Sequence, residues 1–542
     1  GYNTQTGTTL TNATAIGANA SATTSNSVVL GSINGTNGAT ADAKVGIGTT
    51  APTEKLHIAN GTVRIEDGNE GAGKVLTSNA TGVASWQDLP AASNDWTLLG
   101  NAGTTDGTNF IGTTDNQPLN FKANNQKAGR IGVVNDGSVF FGYQAGNNDD
   151  KSDNRNVGIG YQALYSNTTG GFNIANGYQA LYSNTTGGSN IANGAYALNQ
   201  NTTGVRNIAN GFQALFSNTT GASNIANGQI ALYANTTGNS NVANGTAALY
   251  SNTTGGDNIA NGTQALYSNT TGSQNIANCS DALFSNTTGA NNIANGFRAL
   301  YSNTTGSGNI ANGNQALFRN TTGRYNIANG NGALLSNTIG ENNIANGAYA
   351  LYTNTTGNNN IANGSGALQN NTTGGSNIAS GYLALSSNTT GNNNVASGYS
   401  ALYLNTIGGN NIASGYFALL RNTTGDNNVA YGSNALANNT TGSNNTGLGY
   451  QALNGSTTAS NNTAIGYNAQ VPISTNSNQV RIGNTAVTYA GIQVAWTVTS
   501  DRRWKTNIEE SPLGLSFIQS LRPVVYIRKH DENKRPEYGF IT

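Results

Sequence analysis

Apolar positions in the central part of the chain return every seventeen residues. From Asn173 the text reads NIANGYQALYSNTTGGS and then begins again. Ile174, Ile191, Ile208, Ile225, Val242 and Ile259 hold the register, which starts at Val157 and runs through Ile327, Ile412 and Val429 to Thr446 and Thr463. Nineteen units follow one another without an insertion. A constant period means that each unit stacks on the last in the same way. Seventeen residues are too few for a pair of packed helices. The β-branched and aromatic residues of N-[IV]-A-[NS]-G and Y-Q-A-L-[YF] favour strands, and Gly and Asn suit the corners between them. The pattern predicts an all-β fold, a long β-solenoid with one 17-residue coil per turn and two short strands per coil. At ~4.8 Å per ladder step, nineteen coils make a rod of roughly 90 Å.

The expected core is one Ile and one Leu per coil, the latter at Leu181, Leu215, Leu300 and their equivalents. Each buried side chain contributes roughly 1.5–3 kcal/mol, whereas ordering each backbone residue costs about 1–2 kcal/mol. A coil therefore folds only between neighbours. The Ala before each Leu, as at Ala180, Ala214 and Ala299, is expected where another surface approaches closely. That is the motive for placing several identical chains around a common axis. Middle coils carry Asn176, Asn210 or Ser380 where end coils carry Ile159, Leu448 and Ile465. A stacked amide ladder and a solvated face both fit this column. The aromatic column Tyr165, Tyr182, Phe216, Tyr233, Tyr250, Tyr267, Phe284 and Tyr301 reads as a ladder or a seam between chains in preference to a platform for sugars. Cys279 occupies a Gly slot, so that corner must accept a side chain.

Outside the array the texture changes. The expected organisation is short β-roll coils over 1–48, with Ile16 and Leu30 fourteen apart, then a β module and linker over 49–100. A second β module over 101–156 leads into the solenoid of 157–470, followed by a β-rich neck over 471–499. Residues 45–67 read as a turn at Pro52 followed by an alternating strand, and 71–90 as a linker with one strand. In 500–542, SPLGLSFIQSLRP (511–523) reads as a short amphipathic helix and PVVYIRK as a strand.

Composition narrows the chemistry. The 542 residues include 72 Gly, and 23 basic residues balance 23 acidic ones, so no net field draws in nucleic acid or anionic lipid. No apolar run approaches the about 18 residues of a membrane span. The lone Cys279 excludes an internal disulfide and a multi-thiolate site, and His57 and His530 lie in unlike segments, so no metal and no cofactor is expected. The start at Gly1-Tyr2-Asn3 reads as a processed form or a fragment. Asp257, Asp281, Glu341 and Asp426 each sit in a different coil, whereas glycoside hydrolysis needs carboxylates paired about 5–9.5 Å apart. N-T-T recurs in fifteen coils at a corner before Gly, which is turn chemistry more readily than glycosylation. An adjacent Thr pair at a corner is also a poor match to an ice lattice.

The final 43 residues hold 14 of the 46 charges. Their SDRRWKTNIEE, LGLSFIQSLRPVVYI and YGFI resemble the endosialidase-type intramolecular chaperone at the C-terminus of trimeric tail fibres and surface fibres. VGIGTTAPTEKL, NFIGTTDNQPLNFK and GYQALYSNTTG are similar to tail-fibre-like surface proteins, and the AIG and VVLG coils to head repeats of trimeric autotransporter adhesins. The resemblance implies a structural and adhesive homo-oligomeric fibre of identical chains, a trimer. It would be extracellular, on a cell surface or a phage-like tail, and attach to a cell-surface glycan or protein. It further implies self-cleavage before Ser500, with Ser500 as nucleophile and Lys505 as its base. A desolvated Lys can take a Ser proton without a His. Trp504 departs from the aliphatic residue usual at its position. The competing reading is a phage-type tailspike that depolymerises surface polysaccharide through a domain outside this chain.

Overall fold

The computed structural model describes residues 5–6, 9–88, 111–133, 136–491, 521–526 and 537–541. They fall into two units, residues 1–112 and 113–542, each described by itself. Every helix or strand assigned among the described residues is a strand.

In the first unit, Thr14–Ile16 lies parallel to Val28–Leu30, and Gln5–Thr6 parallel to Ser21–Ala22. This is the fourteen-residue coil implied by Ile16 and Leu30. Asn12 donates to Asn26 at 3.1 Å across the same step. Val45–Ile47 pairs parallel with Leu56–Ile58 around Pro52, and Lys74–Ser78 forms an antiparallel hairpin with Ala84–Asp88, where a linker with one strand was expected.

The second unit is dominated by the array. Val157–Ile159 pairs with Ile174–Asn176, that strand with Ile191–Asn193, and the same step continues to Thr463–Ile465 and one coil further to Val480–Ile482. Pairing is parallel and residue on residue: Ile over Ile, Ala over Ala, Asn over Asn. At the near end, Val139–Phe141 stacks on the first coil and pairs antiparallel with Gln126–Ile131, which pairs with Leu119–Ala123. Each strand bonds only its neighbours along the chain, so the ladder is an open spiral.

Each coil holds a single three-residue strand, not two. Tyr-Gln-Ala-Leu-Tyr is a pair of turns in which Gln179 and Leu181 both adopt φ +52°. The left-handed region costs an L-residue about 1–2 kcal/mol. Leu181 recovers that by complete burial, worth roughly 1.5–3 kcal/mol, and its N–H donates to the Ala197 carbonyl at 3.0 Å. The turn is what drives Leu inward.

The strand corrects a second expectation. Alternation sends Ala175 into the coil and Ile174 and Asn176 out of it. The core is therefore Ala175, Ala180 and Leu181, repeated in register from Ala163 and Leu164 to Leu453. Ile is not a core residue, and the Ala beside Leu packs inside its own coil instead of meeting another chain. A 17-residue loop encloses room for one Leu and two methyl groups, so the β-branched residue is left on the outside.

Close stacking demands glycine at one corner. Gly177 has φ +149°, and a Cβ there would lie 2.4 Å from the Gly194 carbonyl oxygen. Cys279 stands in this column at φ +107° and is exposed, so the corner does accept a side chain. Phe140 closes the near end of the core: it sits completely buried in the Ala175 column, opposite Gly158. Beside it the buried Arg130 bonds Asp136 and, at 2.8 Å, Asp149, with its guanidinium 5.6 Å from the Phe140 ring centre.

Near the far end of the chain, Arg522–Tyr526 pairs antiparallel with Glu537–Ile541. The first of these strands coincides with the PVVY part of the strand read from PVVYIRK, and the remaining residues 527–529 lie outside the described ones. The helix expected over 511–523 falls largely outside the described residues.

Candidate functional site

A stacked coil turns every repeated side chain into a column, and the columns are the candidate functional surfaces. On the strand face, Ile174, Ile378 and Ile412 remain 41–44% exposed and the Ile residues between them are mostly half-buried. Two residues on, the amide of Asn193 donates to Asn210 at 2.9 Å, and the chain of bonds runs unbroken to Asn346 and Asn363 at 2.8 Å. The two alternatives for this column thus coexist: the ladder forms, and it forms largely on the solvent side.

The aromatic column is a ladder. Phe216, Tyr233, Tyr250, Tyr267, Phe284, Tyr301 and Phe318 lie 5.1–5.3 Å apart with planes within 14° of parallel. Each ring face is taken by the next ring, so only edges are left to solvent. A sugar needs a free face, which the run from Phe216 to Phe318 does not offer between its two ends. A second, more exposed column escaped the sequence reading: Tyr143, Tyr161 and Tyr178 at one end, and Tyr382, Tyr399 and Tyr416 further along. Its signal is the aromatic directly after the corner Gly in G-Y-Q-A-L.

Two further columns are hidden inside. Asn184 donates to Asn167 at 2.7 Å and to the Gly187 carbonyl at 2.9 Å. Asn190 donates through both its backbone and side-chain nitrogens to Asn173, and to the Gly204 carbonyl at 2.9 Å. Both columns are completely buried. Read from sequence, N-T-T-G is a corner. In the structure its Asn is a polar staple, and its Gly is needed because a Cβ at Gly187 would lie 2.4 Å from the Asn184 Oδ1. The available signal was an Asn at both positions in coil after coil.

Carboxylates on the array have structural tasks. Asp281 pairs with Arg298 one coil on at 3.2 Å, and Asp426 accepts from the Gly409 N–H at 2.7 Å. His57 Nδ1 accepts from the Thr53 N–H at 3.2 Å. Among the described residues no group of three or more His, Cys, Asp or Glu is placed to hold a metal ion, and no helix is long and apolar enough to cross a membrane. Ser500 and Lys505, the expected nucleophile and base, lie outside the described residues, as does Trp504.

Residues 500–542 match the family model described as chaperone of endosialidase. No curated protein and no solved structure matches the chain. The match and the long β-solenoid fit a tail-fibre-like protein with an intramolecular chaperone segment at 500–542.

Proposed function

We propose that this chain is one strand of a structural and adhesive fibre in which identical copies, three in number, associate along the array. The observation that carries the reading is the outward Ile/Val column, an apolar stripe repeated in register over seventeen coils from Val157 to Val429. Long exposed apolar stripes mark association surfaces. The strand face that carries this stripe, roughly 80 Å long and about 10 Å wide, offers on the order of 800 Å², close to the ~800 Å² per partner of a stable interface. Covering a further third of each Ile is worth roughly 0.5–1 kcal/mol per coil. Summed over the array this is on the order of 10 kcal/mol, comparable with the about 4–15 kcal/mol cost of association.

The number three comes from the resemblance to trimeric fibres, as does placement outside a cell or on a phage-like tail, with attachment to a surface glycan or protein. The segment 500–542 would guide assembly. Ser500 would then cut the chain before itself with Lys505 as base, the only enzymatic step assigned. The tailspike reading gains nothing from the array, where Asp281 and Asp426 are engaged in holding coils together. Light scattering on the intact chain and on Ile259→Lys/Ile276→Lys/Ile293→Lys tests the assembly. A trimer that dissociates in the triple variant is expected, and a wild-type monomer overturns the reading.

A further inference from the structure

We propose that the near end of the solenoid carries an oxyanion-binding site, built from Lys122, Lys127, Lys151 and Arg130 around a cavity of about 260 Å³. The site lies between the hairpin Leu119–Ala123/Gln126–Ile131 and the turn that follows Val139–Phe141, at the end of the stacked columns.

Charge balance is the first argument. Four cationic side chains line the cavity against one carboxylate, Asp149. That carboxylate is committed: it bonds Arg130 at 2.8 Å and accepts from Asn154 at 3.0 Å. Asp136 is also taken by Arg130, Asp153 pairs with Arg155, and Asp150 accepts from Ser152 and Asn154. The lysines have no carboxylate partner among the described residues. Lys127 donates to the Gly146 carbonyl, and Lys122 reaches Asn125 at 3.5 Å. Three lysines thus line one cavity with no carboxylate bonded to any of them. Burial, and then the Arg130 charge, pull Lys127 down to about 8, with Lys151 adding to the effect and Asp149 and Asp136 opposing it. An anion in the cavity relieves that repulsion.

Rigidity is the second. Arg130 is almost completely buried, is held by two carboxylates, and its Nε has no partner. Lys127 and Arg130 both lie against the Phe140 ring that plugs the core, at 5.2 and 5.6 Å from its centre. The Lys127 and Arg130 side of the cavity is therefore fixed by the fold. Asn120 and Asn147 add neutral amides to the lining. The volume is below the about 300–1,000 Å³ of drug-sized sites, so the occupant is one small group: a sulfate, a phosphate, or the carboxylate of a single acidic sugar residue. Whether that group is a free ion or is carried on a surface polysaccharide separates two sources of one chemistry. The second source rests on the attachment reading above.

Calorimetric titration of the full chain at low salt tests this, using sodium sulfate, polygalacturonate and neutral dextran as probes. The expected result is one sulfate per chain and no dextran binding. Affinity should fall at least tenfold in Lys127→Met and in Lys122→Ala/Lys151→Ala, and stay unchanged in Arg319→Ala on the array. Lys122 and Lys151 are exposed, so the double variant tests the site even if Lys127→Met disturbs the cap. Sulfate bound with polygalacturonate excluded assigns a free ion, and both bound assigns an acidic glycan. Absence of binding by both anions, or binding indifferent to the lysine variants, overturns the proposal. The fibre reading places association on the Ile column and not on these lysines, so light scattering on the same samples tells failure of this site from failure of the fibre reading.

Discussion

Replacing Asn258 by Ala in the middle of the array should cost far more than replacing Asn261, three residues away in the same coil. Asn258 is completely buried. Its Oδ1 accepts from the Asn275 backbone and side-chain nitrogens at 3.0 and 3.1 Å, and its Nδ2 donates to Asn241 at 3.1 Å and to the Gly272 carbonyl at 2.8 Å. After truncation the Gly272 carbonyl keeps Asn269, and Asn275 Nδ2 keeps the Gly289 carbonyl. The Asn275 backbone N–H loses its acceptor. An orphaned buried donor costs about 1–3 kcal/mol, and three further bonds between groups that keep a second partner cost roughly 0.5–1 kcal/mol each, so the sum is about 2.5–6 kcal/mol. Asn261 also bonds two neighbours, Asn244 at 2.8 Å and Asn278 at 2.9 Å. It is exposed, so water replaces both bonds and the cost should stay under about 1 kcal/mol. In a stacked array the loss is local. Hydrogen exchange by mass spectrometry on the full chain should show protection around residues 258–293 falling at least about tenfold more in Asn258→Ala than in Asn261→Ala, since each ~1.4 kcal/mol is a factor of ten. Equal effects from the two variants would refute the claim that the buried amide column, and not the ladder as such, holds the coils.

Four other outcomes follow from the same geometry. Ser456 stands where the N-T-T-G column has Asn, its Oγ is buried without a partner, and Ala459 fills the place of the Gly; Ser456→Asn should destabilise alone but gain about 1–2 kcal/mol with Ala459→Gly, a coupling that a double-mutant cycle in thermal unfolding will read. Cys279→Gly should raise local stability by about 1 kcal/mol by removing a side chain held at φ +107°, seen as slower exchange in coils 262–296. Gly211→Ala places a Cβ 2.4 Å from the Gly228 carbonyl oxygen and should lower protection on both sides of that coil by the equivalent of more than about 2 kcal/mol. Lys127 titrates near 8 when folded against ~10.4 unfolded; the unfolded chain binds more protons between those values, so the near end should become more stable from about pH 8 to pH 10, and protection of residues 126–141 should rise relative to the distant coils.

The period, the coil length and the ladder were legible because translation along the axis writes itself directly into sequence. The inside of the coil was not. Ile is the more apolar residue and Ala looks like a contact point, yet parity in a three-residue strand depends on which side the chain closes. That is decided by Gln179 and Leu181 in a left-handed conformation that no propensity favours. For the same reason Asn184 looked like turn chemistry: its bonds are to the next coil, and no local pattern tells a corner Asn facing water from one facing its copy seventeen residues away. The cationic cluster at Lys127 and Arg130 was invisible because its members come together only through the hairpin that caps the array.

The uniform columns leave the reach of the rod open to adjustment. Since the same side chains recur at every step, removal or duplication of a whole 17-residue unit rejoins each column to an identical neighbour and changes the length by ~4.8 Å. An insertion of sixteen or eighteen residues within the stack would shift the Ala, Leu, Gly and both Asn columns out of register at once. Tandem duplication in the coding sequence is thus tolerated only in whole coils, and related chains should differ in length by multiples of seventeen while keeping the Phe140 plug and the 500–542 segment.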